Sequence, residues 1–280
     1  MRTPLLALTA LAATVAASGS APSSARASDF WEEVRTPGLA SWRGHVDEAQ
    51  SALEDRRWSL ALEAADRAVA TLDERALGHV LRGHALGGLG REQAAVEAFL
   101  EALDRDPKSL DGEDHGPAAA RIAARAGRYD LAARVLDRVL GRMRVSKERY
   151  ELYVLYGDVL LARGPKHLGE AILAYREGLR ASQHVGVRGG LGLALALLRD
   201  GRELEATDLA RRAAGQGRVE AAVSALPLPP AEKAARRAVA LAAVGDTQGA
   251  RAAWREAAES EVWGKHARKE LGGASPGASR

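Results

Sequence analysis

The chain has 280 residues, 46% apolar and 28% charged, which is enough to bury a sizeable core by packing alone. It has no cysteine, which excludes disulfides, thiolate nucleophiles and cysteine-ligated metals. Forty basic against 37 acidic side chains give a net charge of +3, of which Arg2 and Arg26 belong to a removable leader, so nothing favours nucleic-acid binding.

In chain order, residues 1–27 read as a cleaved secretory signal. Arg2 supplies the positive start, Pro4 to Ala17 the apolar run, and Ala25-Arg26-Ala27 a small-residue cleavage site before Ser28. The apolar run is short for a membrane span. It is not followed by the cysteine of a lipoprotein anchor. The expectation is a periplasmic or secreted protein, cleaved after Ala27, with no stable membrane insertion afterwards.

Residues 28–41 form a lead-in. Asp29 and Glu32 have the spacing of a helix N-terminal cap, so a short helix is expected over Phe30–Val34, ended by Thr36-Pro37-Gly38. Residues 42–259 read as successive helical hairpins, and Phe30 and Trp31 are expected to cover the exposed end of the first of them. Residues 260–271 read as a closing helix with Trp263. Residues 272–280 are small and polar and read as a disordered tail.

The hairpins repeat. Ala61, Ala95, Ala132, Ala171, Ala206 and Ala250 each stand early in a second helix, at spacings of 34, 37, 39, 35 and 44 residues. A recurring unit of this length marks a solenoid, whose units bury their apolar faces against their neighbours. Five residues before the anchor stand Gly90, Gly127, Gly201 and Gly245, as a left-handed helix end favours. Four and seven after it, on the same helical face, come pairs such as Phe99 and Ala102, and Tyr175 and Gly178. Twelve before it come small residues, among them Gly83 and, displaced by an insertion near Gly164-Pro165, Gly157; these let the two helices of a unit cross closely. Gly87, Gly88 and Gly90 are expected to break the second unit between its helices. The long spacing of 44 reflects Gly215 to Pro230, where a helical turn is expected over Val219 to Leu226.

This pattern resembles the tetratricopeptide repeat (TPR) family, most closely at Gly83, Leu86, Gly90, Ala95, Phe99, Ala102 and Pro107, and again at Tyr153, Tyr156, Gly157, Leu160, Ala171 and Tyr175. The first, fifth and sixth units depart from it by placing alanine where the family has aromatics. The resemblance implies an all-α, right-handed α-solenoid of about six TPR-like helical hairpins with a C-terminal capping helix, and a protein-binding role.

No catalytic constellation is legible. The seven histidines include no His-Glu-Xaa-Xaa-His pair, and no Gly-Xaa-Ser-Xaa-Gly elbow or phosphate loop occurs. The acids and His115 between Lys108 and Gly116 do not match a calcium loop. The chain is therefore expected to be no enzyme and to need no cofactor or metal.

Binding is expected on the concave face, lined by the first helices. Counting eleven residues back from each anchor, with the insertion corrected, gives Gln50, His84, Arg121 and Asp158, then Leu195 and Val239. The first four are the candidate groove for a peptide or protein partner, and the last two make its far end apolar. The chaperone-tail clamp of some TPR proteins wants lysines where Val46 and Pro117 stand, and only Arg121 agrees with it. The reading is a non-enzymatic protein-protein interaction scaffold outside the cytoplasm. The alternative is a self-assembling structural protein of the cell envelope, pairing through Trp254 and Trp263.

Overall fold

The computed structural model describes residue 32 and residues 34–180 and 186–272. The signal, Phe30 and Trp31, and residues 273–280 of the tail lie outside the described residues. The chain divides after Ala40. In the first unit the Thr36 amide donates to Glu32 O at 2.9 Å, and Gly38 takes a φ of +93°.

Among the described residues all regular structure is helical. The six hairpins are α1 (Leu39–Glu54) with α2 (Trp58–Thr71), α3 (Ala76–Gly88) with α4 (Glu92–Arg105), α5 (Gly116–Arg125) with α6 (Tyr129–Arg142), α7 (Lys147–Ala162) with α8 (Leu168–Leu179), α9 (Gly186–Arg199) with α10 (Glu203–Gly215), and α12 (Pro230–Ala243) with α13 (Thr247–Ala257). The short α11 (Val219–Ser224) occupies the long interruption, and α14 (Gly264–Glu270) closes the series. Each second helix is followed by the first helix of the next unit, so packing is local along the chain, as a solenoid requires.

The turns inside the second, third, fifth and sixth hairpins have one design; in the fourth, Gly164 is followed by Pro165, which has no amide to reach back. Gly90, Gly127, Gly201 and Gly245 have φ values of +74°, +72°, +81° and +86°. The next residue's amide reaches back across the helix end: Arg91 to Leu86 O at 2.9 Å, Arg128 to Ala123 O at 2.8 Å, Arg202 to Leu197 O at 2.9 Å and Asp246 to Leu241 O at 3.0 Å. This is a Schellman closure, which needs a left-handed residue and satisfies a carbonyl that the helix end would leave free. The first hairpin makes the same closure, Arg57 to Ala52 O at 2.8 Å, with Arg56 forced to a φ of +57°.

The small columns are where the helices touch. The six anchor alanines are all buried. Phe99 of α4 lies under Gly83 of α3, in the space a Cβ would fill. Tyr175 of α8 is wedged between two first helices: a Cβ on Gly157 would stand 2.8 Å from its ring, and one on Gly192 2.5 Å. One expectation is corrected. Gly87 and Gly88 do not break the chain; they are the last two residues of α3, and the turn comes at Leu89-Gly90. They are glycines because Ile122 packs on one and Trp58 on the other.

Candidate binding groove

Helices α1, α3 and α5 present one wall each to a groove of about 700 Å³. Gln50, Leu53 and Glu54 come from α1, Leu81 and His84 from α3, and Ala118, Arg121, Ile122 and Arg125 from α5. Trp58, at the start of α2, lies over Gly88, and Asp114 and His115 enter from the loop before α5. The spacing of the repeat puts the same helical face of three successive first helices on one surface. Three of the four candidate residues, Gln50, His84 and Arg121, therefore meet in this groove.

His84 is the most unusual of them. Its ring meets Phe99 edge-on at 5.2 Å between centroids and lies 5.4 Å from the ring of His115. Burial, with help from the neighbouring His115, pushes its pKa down to about 3. His115 is lowered too, mainly by burial and against the pull of Asp114. Both imidazoles are thus neutral at physiological pH, and His84 Nε2 is buried without a hydrogen-bond partner among the described residues. Among the described residues Arg121 makes only a long contact, to Glu148 at 3.6 Å. Arg125 is fixed on the rim by Glu92 at 3.3 Å and by the carbonyl of Gly87 at 3.4 Å. The groove combines an apolar floor, neutral hydrogen-bonding groups and a rim of both charges, so it suits an extended peptide better than a polyanion.

Asp158 is elsewhere. The first helices α7, α9 and α12 converge, and Asp158 is fully buried between them. It accepts from Arg236 at 2.6 Å, from Arg188 at 2.9 Å and from the Tyr175 hydroxyl at 2.7 Å. Burial alone would raise its carboxyl, but the two guanidiniums and the hydroxyl hold it below the usual range. Leu195 and Val239 are also buried. The expected apolar extension of the groove is therefore core. Simple counting of positions failed here because the first helices of the last three units pack on one another instead of lining a cleft. Trp254 and Trp263 are inside this same core. Trp263 donates to the Glu232 carboxylate, which also accepts from Ser260 Oγ at 2.8 Å.

Trp58, Ile122 and His115 were not among the candidates. Trp58 and Ile122 had a signal in the glycine pair Gly87-Gly88, since adjacent glycines inside a helix signify close approach by a neighbour. His115 had none, because a loop residue lies outside the repeat register.

Among the described residues no cluster of three or more histidine or acidic side chains could hold a metal ion, and no helix is long and apolar enough to cross a membrane. These features define a class: helical-hairpin repeats with a groove on the first helices. No protein-family profile matches the chain, and no curated protein does. The solved structure of YrrB, described as a TPR protein with an unusual peptide-binding site, is 16% identical, with a TM-score of 0.55 over 71% of this chain and 96% of that one. PilF of Pseudomonas aeruginosa and the type IV pilus biogenesis factor PilW are each 15% identical with TM-scores of 0.48, covering 78% and 83% of this chain and 90% and 97% of theirs. The fold of this protein is that of a tetratricopeptide-repeat solenoid.

Proposed function

We propose that the protein is a non-enzymatic interaction scaffold that holds an extended segment of a partner protein in the groove of its first three hairpins. The observation that carries this reading is the convergence of Gln50, His84 and Arg121, from three successive first helices, on one groove floored by Trp58 and Ile122. Such a surface offers side-chain hydrogen bonds at the repeat spacing along an extended backbone and apolar contact between them. YrrB, of like fold, is described with a peptide-binding site. The layout of residues 1–27 supports a location outside the cytoplasm. The charge balance offers nothing to nucleic acid.

Site-specific crosslinking in the cells that make the protein tests this. A photoreactive benzoylphenylalanine in place of Ala118 faces the groove; in place of Glu97 it sits on the exposed side of α4. The expected result is one protein captured from the first position, absent from the second, and lost when Gln50→Ala, His84→Ala and Arg121→Ala are combined. Capture that is equal from both positions, or unaffected by the triple variant, overturns the groove. Asp158 is left out of this variant, because its removal would damage the core.

A further inference from the structure

A second cavity lies on another part of the solenoid, where the turn edges of the third and fourth hairpins meet. Its volume is about 380 Å³, and Arg128, Arg134, Arg163 and His167 line it with a single carboxylate, Asp130. Asp130 is already engaged: it receives Arg163 Nε at 2.9 Å, which fixes one guanidinium and neutralises one charge. Arg128 and Arg134 have no ion pair or hydrogen bond from their side chains among the described residues. Arg128, the residue just before α6, and Arg134, on its second turn, both line the cavity.

The backbone adds to this. Residues 129–131 line the same cavity at the start of α6, and no side chain caps that end. Their amides are the free donors of a 14-residue helix, at its positive pole. His167 Nδ1 is buried and without a hydrogen bond, its nearest acid being Glu170 at 3.7 Å. The lining is therefore rich in donors and has one acidic side chain, whose charge is spent. Three guanidiniums less one carboxylate leave two positive charges unanswered.

We propose that this cavity binds a doubly charged oxyanion of the phosphoryl type, with Arg128 and Arg134 as its forks and the first amides of α6 completing its shell. Guanidinium forks and helix-end amides match the oxygens of a phosphoryl group. The cavity is about half the volume of the groove, which favours one compact group over a length of acidic peptide. The site is independent of the groove: it shares no lining residue with it.

The test is a titration of the full chain with inorganic phosphate at constant ionic strength, against chloride, followed by the amide resonances of Tyr129, Asp130 and Leu131. Those resonances are expected to shift saturably with phosphate and not with chloride. Arg128→Gln combined with Arg134→Gln should weaken binding about tenfold or more, while Arg121→Gln in the groove should leave it unchanged. Both cavity arginines are exposed, so the variant keeps its fold, which circular dichroism checks. No saturable shift, or an equal response from the double variant, overturns the proposal. So does a glutamate-rich peptide that displaces phosphate at lower concentration, which would make the cavity a docking point for acidic protein segments.

Discussion

Arg236 donates to Asp158 at 2.6 Å across 78 positions of sequence, and neither side chain reaches solvent. The pair joins the first helices of the fourth and sixth hairpins, with Arg188 of the fifth on the other carboxylate oxygen. Removing Asp158 leaves Arg236 buried without an ion pair among the described residues. Asp158→Ala should therefore lower the unfolding free energy by about 3–5 kcal/mol, read as a fall in the urea midpoint. Arg236→Met alone should cost less, because Arg188 and the Tyr175 hydroxyl still hold the carboxylate. Asp158→Leu with Arg236→Met should cost much less than the sum, because the isolated charges are gone. Additive losses would mean that the two residues act separately.

The same carboxyl makes the fold acid-sensitive. Its folded pKa lies below the unfolded value, about 3.9 for aspartate, so its contribution is complete above that value and disappears as pH falls through the folded pKa. His84 acts at higher pH. Its folded pKa of about 3 is far below the unfolded value near 6.5, so below about 6.5 the unfolded chain takes up a proton that the native chain refuses. Stability should fall by up to about 1.4 kcal/mol per pH unit from there downward, on account of this residue. His84→Phe should flatten the slope between pH 6.5 and 4 by nearly one proton in a series of denaturation curves. An unchanged slope would show that His84 protonates freely in the folded chain.

The features legible in the sequence are those that repeat. The anchor alanines, Gly127 and its counterparts, and the Gly83–Phe99 and Gly157–Tyr175 crossings recur in register, so comparison of the chain with itself locates them. Gln50, His84 and Arg121 come from the same register. Asp158 has that register too, but its fate depends on Arg236, two hairpins on, where no local pattern foretells contact. Arg236 itself reads as one more arginine on an amphipathic helix. The groove's Trp58 and His115 stand at a hairpin turn and in a loop, outside the columns. A periodic sequence thus discloses the unit, while contacts between distant units remain illegible.

Among the five hairpins that close this way, Arg56 is the one non-glycine residue at the left-handed position. It takes the left-handed conformation that glycine supplies in the second, third, fifth and sixth hairpins, at a φ of +57°, and its side chain is exposed. A non-glycine residue there costs on the order of 1 kcal/mol. Arg56→Gly should therefore stabilise the chain by a few tenths to about 1 kcal/mol, after the greater freedom of glycine when unfolded is subtracted. Gly127→Ala should lose about 1 kcal/mol for the reverse reason. Thermal melts of the two variants give the comparison, and equal melting points would show that the Schellman closure tolerates either residue.

Gly88 offers a way to disturb the groove without removing any of its polar groups. A Cβ there would meet the six-membered ring of Trp58, so Gly88→Ala must move the indole. Alanine is the better helix former by about 1 kcal/mol, which offsets part of the strain, and overall stability should change little. The displaced indole should alter the groove floor beside Gln50 and His84. If a partner segment rests on that floor, the loss of a well-packed aromatic contact weakens binding by over 1 kcal/mol, or about tenfold. Crosslinking from position 118 should then fall accordingly while the melting curve stays in place. A large drop in stability would instead make Trp58 a support of the first two hairpins. Undiminished capture from a stable Gly88→Ala variant would remove the indole from the binding surface and confine recognition to the walls of α1, α3 and α5.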